Sequence, residues 1–516
     1  MTKRTANQAR PSATGLPARP ATPSRDPDID AVTNGTGATV IHVSATPHTD
    51  ATGPRFASHV FGRWTDPQEV HAAGVALREK TPVSACAEYV RRPDRPDPVA
   101  FVEATNEGRV DDLVALRVGR MAASPFAFLR GSAGLMAADL VGTPTSGITA
   151  WICGDAHASN FGLYASPERR LVMDVNDFDE TVVGPWEWDL KRLAASLVVA
   201  GREAGVDEAR VRSAAADAAR IYRAALRELA GMPILDAYYL TTDEKTIDHF
   251  DVAQLGEVFK RIGKKARKNT SRRVVEKFAE RAETNHWRFV DDPPTLTHVD
   301  RNAERAVLDG LESYVEGCLD DELRTLLSRY SVTDIAHRVV GLGSVGRRSY
   351  IVLLHGNGED ALVLQVKEAG PSALAPYVSA TPYSHNGERI VRGQRWMQTV
   401  SDILLGWTTV DGRPFLVRQF RDMKGSIDPA LLKPNQLDDY ARVVGAVLAR
   451  AHAQSADPRL LSGYVDGQVR TPGGDGFDEA IATFAVAYAD QTEADHDALV
   501  GAVKAGRLPA IFEAED

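Results

Sequence analysis

The stretch Gly154-Asp155-Ala156-His157-Ala158-Ser159-Asn160, followed by Asn176-Asp177-Phe178-Asp179-Glu180, carries the residue types that phosphoryl transfer requires. Moving a phosphoryl group from a nucleotide to a hydroxyl needs a carboxylate at the attacking oxygen and oxygen ligands that hold Mg2+ against the phosphates. An Asp with an Asn five residues on can supply the base and one metal ligand from a single loop. A second acidic loop can supply the rest. Asp155 is therefore the candidate base or orienting group, Asn160 and Asp177 are the candidate Mg2+ ligands, and Asp179 is a further one. His157 belongs to the same loop, as a catalytic partner or as a brace. Gly, Asp and Asn also build plain turns. The second acidic loop favours chemistry, because its carboxylates crowd together in a way that calls for a cation.

A nucleotide also needs a phosphate-covering loop and a cation, and both occur later in the chain. Gly341-Leu342-Gly343-Ser344-Val345-Gly346 fits G-x-G-x-x-G, and Leu362 to Lys367 reads as a strand ending in a lysine. A dinucleotide fingerprint would open a helix, whereas this loop runs into the β-rich Ser349 to Leu354. A glycine loop, a hairpin and a lysine on the next strand fit a kinase arrangement better. Gly341, Gly343 and Gly346 would then cover the phosphates of ATP, with Arg347 and Arg348 close behind, and Lys367 would pair with the α- and β-phosphates. The following helix offers Glu388 or Gln394 to face Lys367. The competing readings are a plain hairpin and an ordinary strand-end lysine.

Two families are resembled. GDAHASN resembles the H-G-D-x-H-x-x-N catalytic loop of aminoglycoside-phosphotransferase-like and choline-kinase-like enzymes, which have a protein-kinase-like fold. NDFDETVVGPWEWDLKRLA resembles their next element, and aligns Asp177 with the metal-binding Asp. Cys153 stands where that motif has His, a position that mostly braces the loop, and Asp189 matches a buried structural Asp. Over more of the chain, the set SPFAFLRG, CGDAHASNFG, NDFDETVVGPWEWDLKRLAAS, GQRWMQ and VRQFRDMKGS is similar to the bacterial family known as domain of unknown function 2252, from about residue 60 to the end. That second resemblance implies no settled activity but places these segments in one unit. Together they imply an ATP- and Mg2+-dependent phosphotransferase acting on a small-molecule hydroxyl. The alternatives are a nucleotide-binding pseudokinase with a regulatory role and a nucleotidyl (AMP) transferase. In such enzymes the nucleotide lobe precedes the catalytic loop. Here the order is reversed, which implies a circular permutation.

The elements that must position these residues follow from periodicity. The expected fold is α+β and two-lobed. It has a disordered tail at 1–54, a catalytic-lobe-like helical region at 55–334 with a helical insert around 205–330, a β-rich nucleotide lobe at 335–430 and a helical return at 431–516. Residues 1–54 lack the apolar content to offset their ordering entropy. Leu171 to Val175 reads as a strand entering the acidic loop. In the helix after Pro185, Leu190, Leu193, Ala194 and Leu197 share a face. Helices are expected over 206–231, about 387–404 and 436–454, residues 245–330 read as helical and charged, and a hairpin turns at Asp411-Gly412.

Composition bounds the function. The 516 residues carry a formal net charge of -10, which excludes a protein-wide basic field for nucleic acid or anionic membrane. Cys86, Cys153 and Cys318 lie too far apart for a zinc motif or a disulfide framework, which fits a reducing cytoplasm. No apolar run nears the ~18 residues of a spanning helix, and the N-terminus lacks a secretory h-region. Eight of the fourteen residues at 260–273 are Lys or Arg. With no aromatic residues among them to stack on bases, this run reads as a solvated face, and nucleic acid is not an expected partner.

Overall fold

The computed structural model describes residues 65–243, 254–283, 286–339, 345–379, 381–466 and 476–512, together with two short strand pairs nearer the N-terminus. Two compact units divide the chain, residues 1–42 and 43–516. In the first, Val32–Thr33 pairs antiparallel with Thr39–Val40. In the second, Thr49–Asp50 pairs with Gly53–Pro54. Apart from these pairs, the tail expected at 1–54 lies outside the described residues, as do Gly341 and Gly343.

Residues 67–140 form five helices, α1 (Pro67–Lys80), α2 (Pro98–Ala104), α3 (Asp111–Ala122), α4 (Pro125–Gly131) and α5 (Ala133–Leu140). Pro is the first residue of three of them, where its missing N–H is no loss. Ser124 caps α4 by accepting from the Ala127 N–H at 3.2 Å, so this serine is structural. Four strands follow, β1 (Thr149–Ile152), β2 (Phe161–Ala165), β3 (Leu171–Val175) and β4 (Val182–Pro185). β1 pairs with β4 and β2 with β3, so both candidate loops cross from one pair to the other, 153–160 from β1 to β2 and 176–181 from β3 to β4. Helix α6 (Trp186–Glu203) buries Leu190, Leu193, Ala194 and Leu197 completely. Helix α7 (Glu208–Gly231) is capped by Asp207 and packs its alanine face into the same core.

Residues 234–327 depart from a uniformly helical insert. Helices α8 (Ile234–Tyr239), α9 (Gly256–Ala266) and α10 (Ser271–Phe278) are followed by three short strands, β5 (Ala279–Arg281), β6 (Trp287–Phe289) and β7 (Leu296–His298). Helices α11 (Arg301–Cys318) and α12 (Asp321–Leu327) complete the segment. Three residues are too few to display a period of two, so the strands have no sequence signature. Phe289 and Leu296 are apolar because they meet the sheet next described.

β8 (Ser331–Arg338), β9 (Ser349–His355), β10 (Ala361–Glu368), β11 (Gly406–Val410) and β12 (Arg413–Gln419) join β7 in an antiparallel sheet. Its order is β7-β8-β9-β10-β12-β11. Asp411 (φ 49°) and Gly412 (φ 70°) are both left-handed, as the tight turn from β11 to β12 requires. Both faces of the sheet are covered, which explains the nearly continuous apolar runs. Val352, Leu364, Val366 and Val417 pack on α11, whereas Ile351, Leu353 and Val363 pack on α10 and β6. Along β10 the second face changes from Val363 to Gln365 and Lys367 as it approaches the acidic loop.

Helix α13 (Asn386–Met397) connects β10 to β11 and stops short of residue 404. Gln398 ends it by donating to the Val175 carbonyl, and Asp402 fixes the following turn by accepting from the Leu404 N–H. The chain returns through β13 (Gly425–Ser426), which extends the β2–β3 pair. Helices α14 (Pro434–Ala453), α15 (Pro458–Asp466) and α16 (Phe477–Lys504) then close the helical core against α6 and α7. Among the described residues no helix is long and apolar enough to cross a membrane.

Candidate functional site

The Asp155 loop leaves β1 and is held from behind by α6. Asp189, in the first turn of that helix, accepts from the Cys153 N–H at 2.6 Å and the Gly154 N–H at 2.9 Å. His452 of α14 donates from Nε2 to the same carboxylate at 3.3 Å, which leaves its Nδ1 to accept from the Tyr222 hydroxyl of α7 at 2.8 Å. Asp189 is thus the structural brace its motif implied. Gly154 is left-handed (φ 75°), and a Cβ there would lie 2.4 Å from the Glu180 carbonyl oxygen. The two loops cross at this glycine, and no other residue fits.

Asp155 emerges from the crossing with a fifth of its side chain accessible. Arg192 of α6 donates to its Oδ1 from Nε at 2.7 Å and is anchored in turn on the Leu129 carbonyl. Burial pushes the Asp155 carboxyl up to about 7 despite the opposing pull of Arg192. A carboxylate poised near neutrality suits proton acceptance. His157 lies 3.6 Å from Asp155, with burial, Arg130 and Arg192 holding its imidazole well below its ordinary range. It is a neutral, buried ring packed edge-on against Phe126.

Asn160 joins the two loops. Its amide nitrogen donates to the Asp155 and Asp177 carbonyls, each at 3.0 Å, and its Oδ1 accepts from the Asp177 N–H at 2.7 Å. One lone pair of Oδ1 remains. The Asp177 side chain is exposed, and among the described residues it accepts only from the Asp179 N–H at 3.2 Å. Asp179 turns toward the sheet, where Lys367 Nζ reaches its Oδ2 at 2.7 Å. Burial pushes the pKa of this carboxyl up, but Lys367, Arg347 and Arg418 outweigh it and bring the pKa down to about 2.

Glu388 does not meet Lys367. It pairs with Arg392 at 3.4 Å on its own helix. The inward residue of that first turn is Arg389, which donates to the carbonyls of Thr181 (2.6 Å), Asp179 (2.8 Å) and Gly370 (2.9 Å). Gln394, the alternative to Glu388, donates instead to Gln398. Glu180 completes the junction by accepting from the Ala373 N–H, and its carbonyl accepts from the Ser372 hydroxyl. Gly346, the described end of the glycine loop, packs on Arg109, whose guanidinium donates to the Val345 carbonyl.

Sequence reasoning located the carboxylates and the lysine but missed Arg192, Arg389, Tyr222 and His452. Each is a polar residue on the buried side of a helix, a position that reads as part of the solvated face until the helix is packed. Asp174 on β3 braces the acidic loop from behind, since Arg450 of α14 donates to both its oxygens at 2.6 Å.

Among the described residues no three His, Cys, Asp or Glu side chains are grouped to hold a metal alone. Mg2+ does not need that, because it takes one or two carboxylates and completes its shell with waters and substrate phosphates. The exposed Asp177 carboxylate, Asp179 and the remaining lone pair of Asn160 are a donor set of that kind. No curated protein and no solved structure matches the chain. The model of the family described as uncharacterized protein conserved in bacteria (DUF2252) matches residues 109–502, a span that contains both loops, Lys367 and the helices behind them, and the chain belongs to this family.

Proposed function

We propose that this protein transfers a phosphoryl group from ATP to a hydroxyl of a small molecule, in a two-lobed kinase-like fold of permuted order. The observation that carries the reading is the 2.7 Å contact of Lys367 Nζ with Asp179 Oδ2, which unites the strand-borne lysine with the acidic loop across 188 residues of sequence. Asp155 orients the acceptor hydroxyl and takes its proton as that oxygen attacks the γ-phosphorus and the β–γ bridging oxygen leaves with ADP. Lys367 exchanges Asp179 for the α- and β-phosphates, and the glycine loop Gly341 to Gly346, of which Val345 and Gly346 are among the described residues, would cover them. Asn160, Asp177 and Asp179 would hold Mg2+, which would offset the charge of the phosphates. The acidic loop and the Asp155 loop precede the lysine strand in the chain, which supports the permuted order. The small-molecule acceptor follows from the likeness of GDAHASN to small-molecule kinases.

Calorimetry with ATP, with and without Mg2+, tests the nucleotide. Product analysis after incubation with cell extract tests the reaction, and ADP is expected. Release of AMP or pyrophosphate would replace phosphoryl by nucleotidyl transfer. Failure to bind ATP under either condition would end the nucleotide reading.

A further inference from the structure

The basic run at 260–273 forms one wall of a groove of about 800 Å3 between α9, α10 and the segment after β12. That volume is within the ~300–1,000 Å3 of small-molecule sites. Helix α9 presents Arg261 and Lys265 to it, and α10 presents Arg273 and Lys277. Each is an i, i+4 pair of like charge, an arrangement that destabilises a helix by a few tenths of a kcal/mol. Lys268 from the intervening turn and Arg421 from the facing segment add two more cations, and Lys424 stands beside them with its ammonium pushed down to about 7 by burial and by Arg418. Among the described residues Asp428 is the only carboxylate in the lining. Arg273 reaches Glu276 at 3.3 Å, whereas Arg261, Lys265, Lys268 and Lys424 have no carboxylate partner among the described residues.

A solvated face would scatter these charges and mix them with acids. Here six cations, from two helices, the turn between them and the facing segment, converge on one concavity, inside a chain whose net charge is -10. An anion relieves their mutual repulsion. Among the described residues no aromatic side chain lines the groove, so it offers no platform for stacked bases. Its floor carries Ile262 and the exposed Leu431, which suit an organic ligand with an apolar part. We propose that this groove binds a small molecule bearing more than one phosphate group. The ligand of this groove does not depend on the nucleotide reading.

The probe is inorganic tripolyphosphate, titrated without Mg2+ into the full-length chain at physiological salt. Calorimetry is expected to detect binding that is weakened at least about tenfold in Arg261→Ala/Lys265→Ala/Lys268→Ala. The control Lys260→Ala/Lys264→Ala/Arg272→Ala removes the same charge outside the groove lining. It should bind within about twofold of the parent. Thermal melts establish that each variant is folded. The proposal fails if the parent does not bind tripolyphosphate, or if both triple variants lose binding equally. Loss in Lys367→Met with retention in the groove variant would also overturn it, by moving the site to the cleft. Tighter binding of a labelled oligothymidylate or of phosphatidylglycerol vesicles, abolished in the groove variant, would reassign the groove to nucleic acid or to a membrane surface.

Discussion

Asp155 and Asp179 lie in adjoining loops, and their surroundings drive their acidities in opposite directions. Asp155 is desolvated and only partly compensated by Arg192, which leaves it titrating at about 7. Turnover that needs its carboxylate should therefore rise with pH through an apparent pKa near 7. Arg192→Met removes the group that opposes burial, so the same limb should move to higher pH. A pH–rate profile unchanged by that substitution would detach Asp155 from the reaction. Asp155→Asn should lower kcat by about a hundredfold or more while leaving Mg2+-ATP affinity within a few-fold, because this carboxylate acts on the acceptor. Asp177→Asn should instead weaken Mg2+-dependent nucleotide binding strongly. Asp179 titrates at about 2, below the ~3.9 of an unfolded Asp. Its pairing with Lys367 thus stabilises the fold in full above about pH 4, and the contribution disappears as pH falls toward 2. Unfolding free energies from urea titrations of the parent and Asp179→Asn should differ by on the order of 1–2 kcal/mol near neutrality, and converge in that acid window. A difference that stays constant down to pH 2 would show that Asp179 stabilises the fold through something other than its charge.

Tyr222, His452 and Asp189 connect α7, α14 and α6 behind the Asp155 loop, with His452 fully buried. Every polar atom in that chain is committed, so its members are not equivalent. Tyr222→Phe deletes one hydrogen bond and should cost about 1 kcal/mol. His452→Ala also opens a cavity and should cost about 2–4 kcal/mol. Chemical denaturation of the two variants checks the ranking, and equal losses would mean that the chain is not cooperative. Elements with a strong period were legible before any coordinates. Leu171–Val175 is a strand and Leu190, Leu193, Ala194 and Leu197 share the buried face of α6, because burial on one side imprints a pattern on the sequence. The strands at 279–298 were not, since three-residue strands imprint none. In α13 the choice between Glu388 and Arg389 was equally hidden, because both are charged and adjacent. Only the backbone carbonyls of Thr181, Asp179 and Gly370 select the arginine. The residue types and spacing identified which loops carry carboxylates and which strand carries the lysine. They could not identify the bracing partners, which come from helices 37 residues away in the case of Arg192 and more than two hundred in the cases of Arg389, Arg450 and His452.

At the scale of the molecule, Arg389 is the residue through which the sheet and the helical core hold the cleft together. It belongs to α13, between sheet strands β10 and β11, yet two of its three acceptors are in the loop that follows β3. The third, Gly370, is in the turn directly after the lysine strand. A guanidinium can address three carbonyls at once because its donors form a rigid planar fork, which an ammonium does not have. Arg389→Lys should therefore behave much like Arg389→Ala. Both should loosen the junction by about 2–3 kcal/mol and let Lys367 drift from Asp179. Mg2+-ATP affinity should fall about tenfold or more, since the cleft must be reassembled before the phosphates are gripped. Amide exchange should accelerate at 177–181 and 369–373 and remain as in the parent in α7 and α14, whose core does not contact Arg389. Exchange that quickens throughout the chain would make Arg389 a residue of general stability. Retention of parental affinity in Arg389→Lys would show that one or two of the three carbonyl contacts suffice to keep the acidic loop and the lysine strand in register.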